Sequence, residues 1–324
     1  MANRLVRNAA ILAKIETTYG VDAVPTGGAN AILVRNQQPT PLENNLVDRA
    51  VVRAYLGGSE QLTGTRFKRL QFEVDLVGSG TAGTAPAWGP LVRMAGMAET
   101  IIAATRVDYL PISSLFEAGT IYYHDDGVLH KLLGARGNVV LNLKQGELPN
   151  LGFNFVGIDG GDTATANPSV SYTNFRTPQI PVDANTGDVT FGGTVSPTGA
   201  PAITGGTAYP SMGIEGLDLG HAVNFQPLLG GESVEITDRQ SVCKLVLDLT
   251  AAQEVSFAAN VRGATLQSVA MQHGTVAGDR VLVFMPAVQL VNWTKGELNG
   301  KRLVNYDGRV LPLAGNDDVR LVVY

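Results

Sequence analysis

Gly78-Ser79-Gly80-Thr81-Ala82-Gly83 is the run in this chain with the most recognisable chemistry. In a dinucleotide-binding turn, the glycines of G-x-G-x-x-G admit a pyrophosphate to the N-terminus of the following helix. The surroundings argue against that use. The preceding strand carries Gln71, Glu73 and Asp75 on one face, where a central parallel strand is apolar throughout. The next helical pattern begins only after Pro86, too far past the third glycine. A strand-to-helix loop is the expectation, and a dinucleotide enzyme is the alternative to be tested.

Other reactive side chains are scattered. His124, His130, His221 and His273 stand in no H-x-x-x-H or C-x-x-C setting, so metal ligation lacks its spacing. His124 and His130 flank a turn and are expected as exposed strand residues. Asp183-Ala-Asn185-Thr-Gly187-Asp188 loosely resembles a calcium loop but lacks the closing glutamate, and an Asn-Thr-Gly turn is the better reading. No serine lies in G-x-S-x-G, and Cys243 falls on an inward strand position as a small hydrophobe. No catalytic, metal or cofactor-binding residue is expected, and the cofactor reading is none.

The elements around these residues read as strands. Leu70, Phe72, Val74 and Leu76 alternate with Gln71, Glu73 and Asp75, the period of a strand with one wet face. Trp88, Leu91, Val92 and Ala95 lie at helical spacing after Pro86. Asp125-Asp126-Gly127 between apolar flanks predicts a hairpin, and NVVLNL and LGFNF flank a KQGELPN turn. Cys243, Leu245, Leu247 and Leu249 alternate again, followed by a helix-like QEVSFAANVRGA and a TLQSVAMQHG/DRVLVFM hairpin. Ala9, Ile11, Leu12 and Ile15 predict a short amphipathic helix near the start.

Landmarks recur between the halves. EVDL (73–76) matches VLDL (246–249), LNLKQGEL (141–148) matches VNWTKGEL (291–298), and Leu-Gly-Gly occurs at 56–58 and 229–231. A tandem duplication follows, with the segment 99–118 as an extra piece of the first copy. The expected layout is mainly β: two tandem β-sandwich or barrel domains, each with one short flanking helix. They span 1–158 and 179–324, with a Gly/Thr/Asn/Pro-rich linker at 159–178. Two long hairpins stand out. Leu42–Arg53 and Phe67–Leu76 bracket a loop with Tyr55, Leu56, Gly57 and Gly58, and Gly213–Phe225 and Ser241–Leu249 bracket Leu229, Gly230 and Gly231. Exposed edges of that length call for a partner, and a ring of like domains supplies one.

Composition agrees with a chain that meets copies of itself. Of 324 residues, 44% are hydrophobic and only 16% charged, against roughly 25% charged in an average soluble domain. The net charge of -5 gives no basic stripe for tight nucleic-acid binding. A lone cysteine suits a reducing, cytosolic site of synthesis, and no run is long enough for a membrane span, so no membrane partner is expected.

Four segments carry a resemblance: ILAKIETTYG, LVDRAVVRAYLGGS, FEVDLVGSGTAGTAPAWGPLVRMAGMAET and TIYYHDDGVLHKLLGARGNV. They resemble the major tail tube proteins of long, flexible-tailed bacteriophages, densely over 9–158, more sparsely to about 292, and least after Trp293. The resemblance implies a structural virion protein whose rings stack into a hollow tail tube that conducts the DNA genome, together with other tail proteins. If such a ring holds six tube domains, a chain with two needs three copies, a trimeric ring with pseudo-sixfold symmetry. A hexamer with an outward-facing second half is the alternative. The wet face of Gln71, Glu73, Asp75 and Asp248 is the candidate lumen surface, partly acidic and unattractive to a polyanion. Another tail ring, such as a terminator or distal component, or a β-rich binding module, are the remaining alternatives.

Overall fold

A computed structural model describes residues 3–324. Strands hold 52% of the chain and helices 7%, so the protein is mainly β. The N-terminal elements are β1 (Ala9–Ile15), α1 (Gly27–Asn30), β2 (Ala31–Ile32), β3 (Arg35–Asp48) and β4 (Gln61–Asp75), then α2 (Gly89–Met94), β5 (Met97–Ile102) and β6 (Arg106–Pro111), and finally β7 (Gly119–Asp125), β8 (Val128–Lys144) and β9 (Asn150–Ala164). Every pairing is antiparallel, in the order β3-β4-β9-β8-β7-β1-β2, with β5 and β6 as a separate hairpin.

Alternation decides which face is buried. Leu70, Phe72 and Val74 of β4, Phe153 and Phe155 of β9, and Val139, Leu141 and Leu143 of β8 all point into the core. The rings of Phe72, Phe153 and Phe155 lie 5.5–5.8 Å apart. Across this layer lies α2, which buries Leu91, Val92 and Met94 and has Pro90 in its first turn. The buried Trp88 just before it donates its indole N–H to the Val77 carbonyl at 2.8 Å.

The C-terminal elements are β10 (Val189–Phe191), β11 (Thr194–Val195), β12 (Ile203–Thr204), β13 (Thr207–Tyr209), β14 (Ser211–Asp218), β15 (His221–Gln226), β16 (Ser233–Arg239) and β17 (Val242–Leu247), then α3 (Ala251–Arg262), β18 (Leu266–His273), β19 (Val281–Leu298), β20 (Lys301–Leu311) and β21 (Arg320–Val323). Their antiparallel order is β14-β17-β20-β19-β18-β10-β13, while β11 with β12 and β15 with β16 form separate two-stranded ribbons. A Thr250 capping box starts α3, and Phe257 on it packs among Phe191, Tyr209 and Tyr306 at 5.1–5.5 Å.

The halves are joined by strand pairing. β14 adds to the free edge of β8, and β21 lies between β19 and β6. One hydrophobic cluster runs through both sets, from Ile11 to Val323.

Several expectations change. Ala9–Ile15 is a strand, not a helix. Ile11 and Ala13 enter the main core while Leu12 packs with Ala31, Tyr122 and Leu129, so both faces are buried and no amphipathic period can be read. A third short helix, α1, accompanies the two expected ones. The 159–178 segment is strand as far as Ala164, because β9 continues to pair with the start of β8. Strand β3 begins at Arg35, and its hairpin closes at Asp48 opposite Gln61, tighter than the 54–66 loop expected.

The Gly-Glu-Leu landmark also shifts. Gly146 lies in the β8–β9 turn with φ 77, whereas Gly296 lies within β19 opposite Leu303 and the turn falls at Asn299-Gly300. Phe72 faces Phe153, which faces Val139, and Leu245 faces Tyr306, which faces Trp293. If Phe72 matches Leu245, then Trp293 matches Val139, not Leu143.

Candidate assembly surface

The glycine run is an internal seam, not a nucleotide turn. Gly80 N–H donates to the Gly278 carbonyl at 3.1 Å, and a Cβ on Gly78 would sit 1.8 Å from that same oxygen. Arg176 crosses the seam to Asp279 at 3.0 Å. Helix α2 starts six residues beyond Gly83, so no helix N-terminus faces the glycines.

The histidines correct one expectation. His124 is buried and its imidazole is held below the usual range by loss of water, while His130 is half-buried with Nδ1 2.8 Å from Asp162. His221 is buried with no partner on either ring nitrogen, and burial, with Arg239 nearby, pushes it down to about 4. His273 bonds Thr186 Oγ1 at 2.8 Å and the Gln179 carbonyl at 3.0 Å, which ties down the 183–188 turn. Cys243 is buried and its thiol is pushed up to about 12, so it is unreactive. Among the described residues no group of three His, Cys, Asp or Glu could hold a metal, and no helix is long and apolar enough to cross a membrane.

The two arms differ in what they touch. The β3–β4 arm ends in the 49–60 loop, where Tyr55 is exposed and Leu56 fully so, and Leu42, Leu46, Val47 and Leu62 along the arm are exposed as well. The β15–β16 arm also ends in fully exposed Leu229, beside Gly230 and Gly231. Its shaft, however, is folded onto the N-terminal half. Val234 and Ile236 are buried there, Phe225 stacks on Phe67 at 5.1 Å, and Arg136 donates to the Val234 carbonyl at 2.7 Å and to Glu235. Sequence reading took 213–225 as one strand. Leu219-Gly220 instead divides it into β14 and β15, which belong to different sheets.

The wet face of the sheets is built from amides and compensated charges. Gln71 faces Asn154, which faces Asn138, and on the other ladder Lys244 faces Asp307, which faces Asn292. Glu73 and Asp75 are both paired to Arg35, at 3.0 and 3.5 Å, and Asp248 is paired to Lys301. Arg35 thus offsets one of the two charges of Glu73 and Asp75, Lys301 offsets that of Asp248, and Gln71 is neutral, so the face keeps only part of the acidic character expected of it. Arg35 and Lys301, the missed partners, carried no local signal, because each reaches its carboxylates from another strand.

The fold is thus an antiparallel β architecture with a helix packed against each half and two exposed arms. The model of the phage tail tube protein family matches residues 6–321, and the chain belongs to that family. It is a structural, non-enzymatic component of the virion tail. A search of curated proteins finds no match.

Proposed function

We propose that each chain supplies two tube domains, that three chains close a ring with pseudo-sixfold symmetry, and that the rings stack into the hollow tube through which the genome passes. The observation that carries this reading is the repeated strand order. β3-β4-β9-β8-β7-β1-β2 is matched, strand for strand and in the same chain sequence, by β14-β17-β20-β19-β18-β10-β13. The plugging helix falls at the same point in each, α2 between β4 and β7 and α3 between β17 and β18. The β5–β6 hairpin, 97–111, has no counterpart in the second set and lies close to the segment 99–118 read as extra, while α1 in the first set and β11–β12 and β21 in the second are likewise unmatched. Chance recurrence of a short motif does not reproduce seven strands and a helix in register.

In this reading the wet face with Gln71, Glu73, Asp75 and Asp248 lines the lumen. Amides and paired charges stay hydrated, and exposed Lys244, in no ion pair among the described residues, lies opposite Asp307, so the face carries no cluster of cations to hold a phosphate backbone and DNA slides instead of binding. The tips at Tyr55, Leu56, Gly57 and Gly58, and at Leu229, Gly230 and Gly231, make contacts between copies, because fully exposed leucines on glycine loops gain most from burial. Negative-stain microscopy of concentrated protein tests the assembly. Long tubes support it, and rings that never stack, as a terminator or distal component would give, overturn it.

A further inference from the structure

The β15–β16 ribbon is joined to the body of the chain at two corners that lie side by side. Gly220 turns the chain from β14 into β15 with φ 64, and a Cβ there would sit 2.1 Å from the Gln240 carbonyl oxygen. Gln240, at the other corner, donates its N–H to the Gly220 carbonyl at 3.1 Å, and Ser241 Oγ donates to the Leu219 carbonyl at 3.1 Å. Beyond these corners the ribbon belongs to no larger sheet, so it can swing as a unit if its seat on the body lets go.

His221, the first residue of β15, shares that seat with Ile236 of β16. Both pack on Gly96, where a Cβ would meet His221 Cε1 at 2.9 Å and Ile236 Cδ1 at 3.2 Å. The imidazole is buried, and neither ring nitrogen has a hydrogen-bond partner. A protonated ring would present two N–H donors, and the two nearest carboxylates are already tied to other groups. Asp218 on β14 accepts the Gly220 N–H at 2.7 Å and the Asn138 amide at 2.6 Å. Asp318, before β21, accepts Arg239 Nε at 3.0 Å and Ser241 Oγ at 2.7 Å on one oxygen, and its other oxygen lies 3.0 Å from the same guanidinium. Arg239 on β16 opposes a second positive charge, while the Ala95 carbonyl after α2 favours the proton but lies outside hydrogen-bonding geometry. Asp238 on β16 and Arg309 on β20 stand exposed at the rim, and β8 and the 112–116 loop present the neutral Asn138 and Ser113.

We infer that His221 is an acid-operated latch, whose protonation frees the β15–β16 ribbon from the N-terminal half. A buried imidazolium without acceptors is costly, and it finds them only by meeting water. The route to water is a cleft of about 420 Å³ between the ribbon root, the 112–116 loop and the 309–312 strand end, with His221, Arg239 and Asp318 on its wall. Swinging the ribbon outward widens that cleft, hydrates the ring and lifts Ile236 off Gly96 in one movement. The contacts that part are the stack of Phe225 on Phe67, the Val234 N–H to Tyr19 Oη, and Arg136 to the Val234 carbonyl. The latch lies within one chain and does not depend on the ring or tube reading. The freed ring titrates at the ordinary 6.5 and the seated one at about 4, so opening takes up a proton and is favoured about twentyfold more at pH 5 than at pH 7.

Amide hydrogen exchange on the unassembled full chain, corrected for the intrinsic pH dependence of exchange, tests the latch. The Val234 and His221 amides report directly, because their acceptors, Tyr19 and Asn138, lie on the N-terminal half. From pH 7 to pH 5 both are expected to lose about twentyfold in protection, while Leu151–Val156 of β9 keep theirs. In His221→Leu the Val234 amide should stay equally protected at both pH values. The parent protein gives a second readout if that variant does not fold: the His221 Cε1–H proton resonance should titrate together with the loss of Val234 protection. Unchanged Val234 protection in the parent overturns the latch, and so does an equal loss in His221→Leu. Equal loss across β9 marks unfolding of the whole chain and overturns it as well, as does an imidazole that protonates while Val234 stays protected.

Discussion

Gly78 and Gly278 meet backbone to backbone, a Cβ on the first lying 1.8 Å from the carbonyl oxygen of the second. Because the obstacle is main chain, no side chain can swing aside. Gly78→Ala is expected to lower stability by about 1–3 kcal/mol, read by chemical denaturation. A nicotinamide dinucleotide is expected to leave the melting temperature of the parent protein unchanged, since the glycines are occupied by the second half of the chain.

The carboxylate of Asp108, buried on β6, bridges Arg320 on β21 at 2.7 Å and Arg106 at 3.2 Å. Arg106 also donates to the carbonyls of Ser196 and Gly199. Asp108→Ala leaves two guanidinium groups without their carboxylate at the strand that ties the C-terminus to the N-terminal half. A loss of about 3–5 kcal/mol is expected. A loss under about 1 kcal/mol in the same denaturation measurement would show that the bridge is dispensable.

His221 sets an acid sensitivity. Its folded pKa of about 4 lies below the ordinary 6.5, so the unfolded chain takes up a proton that the folded chain refuses. Stability therefore falls as pH drops from about 6.5 towards about 4 and levels off below, by an amount of order 3 kcal/mol. His124 and His273, also held low by burial, add slope in the same direction. His221→Leu is expected to flatten the profile in that window while leaving the slope due to the other two. An unchanged profile would show that His221 is hydrated when folded.

Much of the sheet was legible because one face is wet. Phe72, Val74, Leu245 and Leu247 alternate with polar residues, and both helices and the Asp126-Gly127 turn follow local chemistry. β1 was not legible, because Ile11 and Leu12 bury opposite faces against partners far along the chain. Nor was the start of β3, whose Pro39 and Pro41 are edge devices that break the alternating pattern. Of the candidate surface, the exposed tips at Leu56 and Leu229 could be read from Leu-Gly-Gly. The pairing of Glu73 and Asp75 with Arg35, and the docking of one arm but not the other, are long-range contacts with no local trace.

The count of chains around the lumen tests the central claim most directly. A helical reconstruction of assembled tubes is expected to resolve three chains per ring, with six similar sheets around the bore and each chain contributing β3–β4–β9–β8 and β14–β17–β20–β19 in turn. Six chains per ring, with the C-terminal half outside the wall as a decoration, would contradict it.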